Sequence, residues 1–507
     1  MEKWTTIKRF RPHPLYILGN LWRYLFLLLI PLLRGLYHVL INSFSLTKGF
    51  QLAVNLSAWW EGAWLDLLTL TGFLSLGILL WVSFTVDVLE DGLLVRRGVF
   101  RRETTFLPVS RYRCVSVVAP LRIRLFGAVY LRVDTPGGNL KNADLLVMLS
   151  RKDCQQLLQL LEAPRTLTPT TLVREYRPKS RYVFVLAMLT SNSFAGVLLI
   201  STFVTQVGNL LGEQFSEVLY GTFETVARTL AFGVPPAAFA LGCVLVFGYL
   251  CAFVASLSRH ANFHVVRRGN LLEIDAGLLT YRDYRIEAEK IGYLDIRRSL
   301  LTCMLGVYSI FLSTVGYGKF KDDVSALIPC VRRQQLENSL RMLLPEYHLS
   351  QRTAGPNRLR SMFRYVWRTV ALLAAAEASK ILLSILFPGW VELISCVALM
   401  AQLPLAWMLA VKFIDLYTAG VSYEQGCYTL RYSKGFSLHQ VIIRPERIVK
   451  VKQTQSIFQR RNGRCDVYVF SYSEGTQSHH IRDLRQEDFE SLFGIGSALD
   501  DRRKKEK

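Results

Sequence analysis

Cysteine is sparse and scattered. The nine residues (Cys114, Cys154, Cys243, Cys251, Cys303, Cys330, Cys396, Cys427 and Cys465) form no C-x-x-C in a chain of 507, which argues against a disulfide framework or a zinc cluster and for reduced thiols facing a cytosol. No nucleophile elbow, Walker loop, dinucleotide fingerprint or zinc helix occurs, so the sequence is read as non-enzymatic, with no cofactor and no metal expected. His260 and His264 stand four apart without a third ligand nearby, and His479-His480 reads as solvated surface. Acid is also short: 39 Asp and Glu against 61 Lys and Arg give a formal charge of +22, which excludes an acidic or mainly disordered chain and favours anionic surroundings. No recognition helix or aromatic RNA platform accompanies that charge, so nucleic acid is not an expected partner, whereas anionic lipid is.

What the chain does have is apolar length. With 51% hydrophobic residues, 20% charged and a mean hydropathy of +0.24, it is too apolar for a soluble protein and too polar to lie wholly in lipid. Six stretches, Leu15 to Leu33, Leu65 to Val86, Tyr182 to Thr205, Leu230 to Leu257, Val366 to Phe387 and Val391 to Val411, approach the roughly 20 residues that cross about 30 Å of hydrocarbon. They predict an integral membrane protein of about six spans, arranged in pairs. The segment from Tyr37 to Trp64, with Trp59, Trp60 and Trp64, has the composition of a headgroup interface. Lys and Arg are unevenly shared: residues 1–14, 87–181, 258–365 and 412–507 hold 55 of the 61. Both termini and the three large connections are therefore expected in the cytoplasm.

Those three connections align with one another. Asp91-Gly92-LLVRRGVFRRETTFLPVSRYRCVSVVAPLRIRLFG, offset by 179 without a gap, places Gly277 on Gly98, Lys290 on Arg111 and Gly306 on Gly127. One deletion brings in the third, with Pro445 on Pro108, Arg447 on Arg111 and Gly463 on Gly127. Within each, alternating runs separated by turn signals predict short strands, and an amphipathic stretch such as Ser150-RKDCQQLLQLLEA predicts a closing helix. About seven strands closed by a helix describe a small plugged barrel. The expected organisation is 1–84 with two spans, a barrel over 85–163, spans over 182–257, a barrel over 263–344, spans over 366–411, a barrel over 416–494 and a basic tail, 495–507.

The string "GLLVRRGVFRRETTFLPVSRYRCVSV…RLFG" resembles the bacterial pleckstrin-homology-like (PH-like) domain of membrane proteins of the YdbS/YdbT type, through Gly98, Pro108, Arg111 and Gly127. The second segment departs by carrying Glu287 and Lys290 at the Pro and Arg positions. The resemblance implies a polytopic α-helical membrane protein with three cytoplasmic PH-like β-barrel domains, each with a C-terminal helix, in a bacterial inner membrane. It supplies no settled biochemical activity.

Two sets of residues are candidate sites. Arg96, Arg97, Arg101, Arg102, Arg111, Arg113, Arg122 and Arg124 concentrate in the first segment beside the single acid Glu103, at about 1 kcal/mol each near an anionic leaflet, and make it the candidate surface for anionic lipid or an acidic partner. The corresponding stretch of the second segment is balanced, five basic against five acidic residues. Glu377 and Lys380 fall inside the fifth span, three apart on one helical face, where they neutralise each other. The function these features point to is a membrane-anchored scaffold or adaptor binding a partner protein, anionic headgroups or both. The rival is a component of a transporter or export system with regulatory modules, for which Glu377 and Lys380 are the only sequence support.

Overall fold

Alternation decides the first strands. Thr85–Leu89 (β2) and Gly92–Arg97 (β3) pair antiparallel, so Val86, Val88, Leu93 and Val95 share one face and Asp87 takes the other. The computed structural model describes residues 6–19, 64, 68–137, 143–162, 173–178, 182–184, 187, 236–318, 326–473 and 475–494. Two compact units divide the chain, Met1–Thr170 and Thr171–Lys507. In the first, Thr6–Phe10 (β1) and Glu103–Pro108 (β4) complete a sheet in the order β1-β2-β3-β4. Cys114–Pro120 (β5), Ala128–Asp134 (β6) and Leu145–Ser150 (β7) follow as antiparallel neighbours. The helix Arg151–Glu162 closes the unit, started by Ser150, whose hydroxyl accepts the Asp153 amide at 3.1 Å and donates to its carboxylate at 2.7 Å. Leu157, Leu158 and Leu161 of this helix meet the valines and leucines of the strands in one core, each buried side chain contributing about 1.5–3 kcal/mol.

The second unit begins with Val173–Tyr176 (β8), His264–Arg268 (β9), Leu271–Ala276 (β10) and Thr280–Glu287 (β11), all antiparallel. Tyr293–Ser299 (β12), Val307–Ser313 (β13) and Ala326–Arg332 (β14) lead into the helix Arg333–Leu343. After the long helices come Gly420–Glu424 (β15), Cys427–Lys434 (β16), Ser437–Ile443 (β17), Ile448–Thr454 (β18), Arg464–Ser473 (β19), Gly475–Arg485 (β20) and the helix Gln486–Phe493. β12 pairs with β17 from Tyr293–Ile443 to Ser299–Ser437, so strands from two segments far apart in the chain form a single six-stranded sheet, β14-β13-β12-β17-β16-β15.

Several turns correspond between segments. Gly98 (φ 102°) and Gly277 (φ 104°) each open a five-residue connection, between Arg97 and Glu103 and between Ala276 and Arg282, and a Cβ there would strike the carbonyl oxygen of Arg101 or Thr280. In the third segment Lys434 pairs with Ser437, so Gly435 sits in a two-residue turn instead. Gly127, Gly306 and Gly463 follow the short helices Leu121–Arg124, Leu300–Met304 and Ile457–Arg461 at φ of 72°, 65° and 61°. Their carbonyls accept the first amide of each closing helix, from Arg151, Arg333 and Gln486, at 3.0, 3.3 and 2.9 Å. Arg111, Lys290 and Arg447 each end a one-turn 3-10 helix; Pro108 precedes its turn, whereas Pro445 opens its own, one place later than the sequence register assigns.

The expected polytopic helical fold of about six spans does not hold. The described residues contain twenty strands against two helices long and apolar enough to cross a membrane, Ser361–Leu386 and Val397–Thr418, each with mean hydropathy 1.8. At about 1.5 Å per residue their 26 and 22 residues reach roughly 39 and 33 Å. Large side chains such as Leu382, Ile385, Leu399 and Leu403 lie exposed along them, as lipid-facing residues would. The stretch from Leu65 to Val86 yields only the helix Leu68–Ser83, because Thr85 and Val86 already alternate as β2. Of the fourth stretch, residues 236–257 lie in the helix Pro236–His260, and 230–235 lie outside the described residues. Most of Leu15 to Leu33, Tyr182 to Thr205 and Tyr37 to Trp64, and all of 495–507, lie outside the described residues. Strands of the second and third segments share the six-stranded sheet, and each of the three segments ends in a closing helix.

Candidate membrane-contact site

The eight arginines of the first segment divide by role. Arg96 lies 3.5 Å from the buried carboxylate of Asp87, which also accepts from Arg9 Nε at 2.7 Å, so it covers an inward charge. Arg97 pairs with Glu103 at 2.9 Å across the β3-β4 ladder. Arg113 is half-buried beside β5, while Arg111 is exposed on its one-turn helix. Arg101 and Arg102 are exposed on the turn that begins at Gly98, and Arg122 and Arg124 on the short helix Leu121–Arg124.

Those last two places carry exposed apolar side chains that charge counting overlooks. Phe100 is 93% exposed beside Arg101 and Arg102; Leu125 is 77% and Phe126 66% exposed after Arg124. The corresponding turn of the second segment exposes Leu278 and Leu279, and its short helix exposes Leu301, Met304 and Leu305 just past Arg297 and Arg298. In the third segment the turn exposes Phe436, and the short helix exposes Ile457 (87%) and Phe458 (81%) beside Arg460 and Arg461. Scattered apolar residues are ordinary on a surface, but paired apolar tips at corresponding turns, mostly next to guanidinium groups, suit a headgroup interface. The sequence signal was present in "GVFRR", "RIRLFG" and "SIFQRRNG", hidden by attention to charge alone.

Within the helix pair, Lys380 Nζ donates to Glu377 Oε1 at 2.7 Å, the pairing expected from their spacing. Gln402 of the facing helix also donates to Glu377, at 2.5 Å, so the carboxylate braces the pair. Lys412 donates to Ser433 at 2.5 Å, and Ser433 donates to Asp415 at 2.5 Å, fastening the end of the second helix to β16. At the start of the first helix, Ser361 donates to Asp483, which Arg464 holds at 2.7 Å. The Ala354–Val421 bridge joins the residues before and after the pair, so both ends return to one side of any bilayer the pair crosses.

The histidine pair of the third segment parts company with the expected solvated surface. His479 is buried on β20, with Nδ1 2.8 Å from the Tyr432 hydroxyl and Nε2 2.8 Å from that of Ser471. His480 stacks on Tyr468. His260 is buried with Nδ1 2.9 Å from the Ser256 carbonyl, and His264 lies 3.0 Å from Glu175.

Sheet-and-helix modules with basic apolar tips, two of them joined and fastened to a pair of apolar helices, define a membrane-associated protein built on PH-type modules. The chain belongs to the bacterial PH domain family, which matches residues 27–165 and 223–344, slightly more than half of it. It is similar to the UPF0699 transmembrane protein YdbT of Bacillus subtilis (strain 168), with 24% identity over 446 residues, covering 81% of this chain and 84% of that protein. No solved structure matches it.

Proposed function

We propose that the protein is a non-catalytic scaffold, anchored by the helix pair and holding three copies of one PH-like unit against the anionic inner leaflet. The observation that carries this is the recurrence of exposed apolar side chains at two corresponding turns of each segment, with arginines flanking most of them. A buried Phe or Leu contributes about 1.5–3 kcal/mol and a nearby Arg about 1 kcal/mol, so a few tips suffice to hold a module flat. Three such units on one chain raise the effective concentration of every weak contact. The excess of basic residues in the three connections favours the cytoplasmic side, and the Ala354–Val421 bridge is consistent with it.

Hydrogen exchange on the full chain in nanodiscs tests this. With phosphatidylglycerol added to phosphatidylcholine, amides of 98–102, 121–127 and 456–463 should slow several-fold, and raised salt should reverse part of the gain, since screening acts over about 8 Å at physiological ionic strength. Exchange indifferent to lipid charge would contradict it.

A further inference from the structure

Beyond those tips, the second unit holds a cleft of about 860 Å³ where the shared sheet meets the end of the second long helix. Gln440 on β17 is paired with Arg431 on β16 and with Ile296 on β12, two places from Arg298, so Arg298, Gln440 and Arg431 share a sheet face. Arg352 and Arg333 enter the same cleft, whose acids are Glu337 and Glu424, with Glu337 held by Arg341 at 2.7 Å. Tyr417 and Thr418, the last residues of the long helix, form part of its wall.

Arg298 and Arg431 are held in place by neutral partners. Arg298 donates to the Tyr308 hydroxyl at 3.2 Å and stacks over its ring at 4.8 Å. Arg431 donates to the Ser350 carbonyl and, at 3.4 Å, to the Ser422 hydroxyl, while Arg352 donates to the Tyr417 carbonyl at 2.7 Å. Among the described residues neither Arg298 nor Arg431 forms an ion pair with a carboxylate. Burial first, then the nearby charges of Arg352 and Arg298, pushes the Arg431 guanidinium down to about 10.

We propose that this cleft binds a phosphate-bearing anion through Arg298, Arg352 and Arg431, either the headgroup of an anionic phospholipid lying beside the long helix or a free phosphate. Guanidinium forks match the oxygens of a phosphate in pairs, and a dianion or diester between them relieves their repulsion. Gly355 fits the arrangement: a Cβ there would collide with the Arg352 guanidinium.

The test uses the full chain in a neutral detergent, with its melting temperature followed as inorganic phosphate, glycerol 3-phosphate or phosphatidylglycerol is added, against phosphatidylcholine as control. At least one phosphate compound should stabilise the protein. Arg298→Gln and Arg431→Gln should each weaken that effect about tenfold, the worth of a charge-assisted hydrogen bond, with Arg431→Lys intermediate. Lys152→Gln, on the first unit's closing helix and outside both the cleft and the tips, should leave it unchanged. Stabilisation by the lipid alone assigns the headgroup; stabilisation by the soluble anions assigns free phosphate. No stabilisation of the unsubstituted chain, or full stabilisation in the Arg298→Gln variant, overturns the proposal. Neither result touches the exchange of the apolar tips, so the two ideas fail separately.

Discussion

His479 shows how much one buried side chain links stability to pH. Burial pushes its imidazole down to about 4, and burial does the same to His480, also to about 4. An unfolded imidazole near 6.5 takes up a proton that the folded one refuses, so the unfolded state binds more protons between about 4 and 6.5. Stability contributed by the neutral histidine is present above that window and lost as pH falls through it, on the order of 3 kcal/mol for His479. Melting of the full chain should therefore drop between pH 6.5 and 4.5, and His479→Phe should flatten the drop. An unchanged slope in that variant would place the titration elsewhere. Asp295 adds a loss at lower pH. Burial opposes its ionisation, but the hydrogen bond from His439 and the charge of Arg297 outweigh burial and hold its carboxyl below the usual range. Its contribution is present above about 3.9 and lost as pH falls below that value. None of this was legible in the sequence, where His479-His480 looks like any polar pair in a strand; burial there comes from Tyr293 and Tyr432, whose nearness depends on distant pairing.

At the scale of elements, the joined sheet is the feature with most consequence. Leu294 on β12 and Ile442 on β17 are paired and fully buried, so each side of the junction depends on the other. Leu294→Ala should cost about 2–5 kcal/mol and speed amide exchange in β16 and β17 as well as in β12. Faster exchange confined to β12 and β13 would show that the sheet is continuous in geometry but not in cooperativity. The strands themselves were readable from alternation at Thr85–Leu89 and Cys427–Lys434, and the closing helices from leucine spacing and the Ser150–Asp153 cap. The partner of β12 was not, because pairing across more than a hundred residues leaves no local mark in a sequence. Hydropathy misled in a related way: it measures apolar length, and the run ending at Val86 includes strand as well as helix. Glu377 and Lys380 were visible as a pair, but Gln402, which completes the brace from the other helix, carries no charge to draw attention.

Across the whole molecule, 55 of 61 basic residues fall in residues 1–14 and the three large connections, and the exposed apolar tips fall among them. A solvated, merely soluble surface has no need of Phe100, Phe126 and Phe458 standing out beside arginines, whereas a headgroup layer accommodates both kinds of group at once. The rival in which the chain forms a transport path rests on Glu377 and Lys380, whose contacts with each other and with Gln402 describe a brace between two helices. What separates a membrane-lying scaffold from modules that point into the cytoplasm is whether those tips touch lipid. The direct measurement is photo-crosslinking from p-benzoylphenylalanine placed at Phe100 and Phe458 of the full chain in native membranes, with adducts identified by mass spectrometry. Lipid adducts at both positions are the expected result. Irradiation that leaves both positions without lipid, yielding water-quenched or protein-only products, would contradict it.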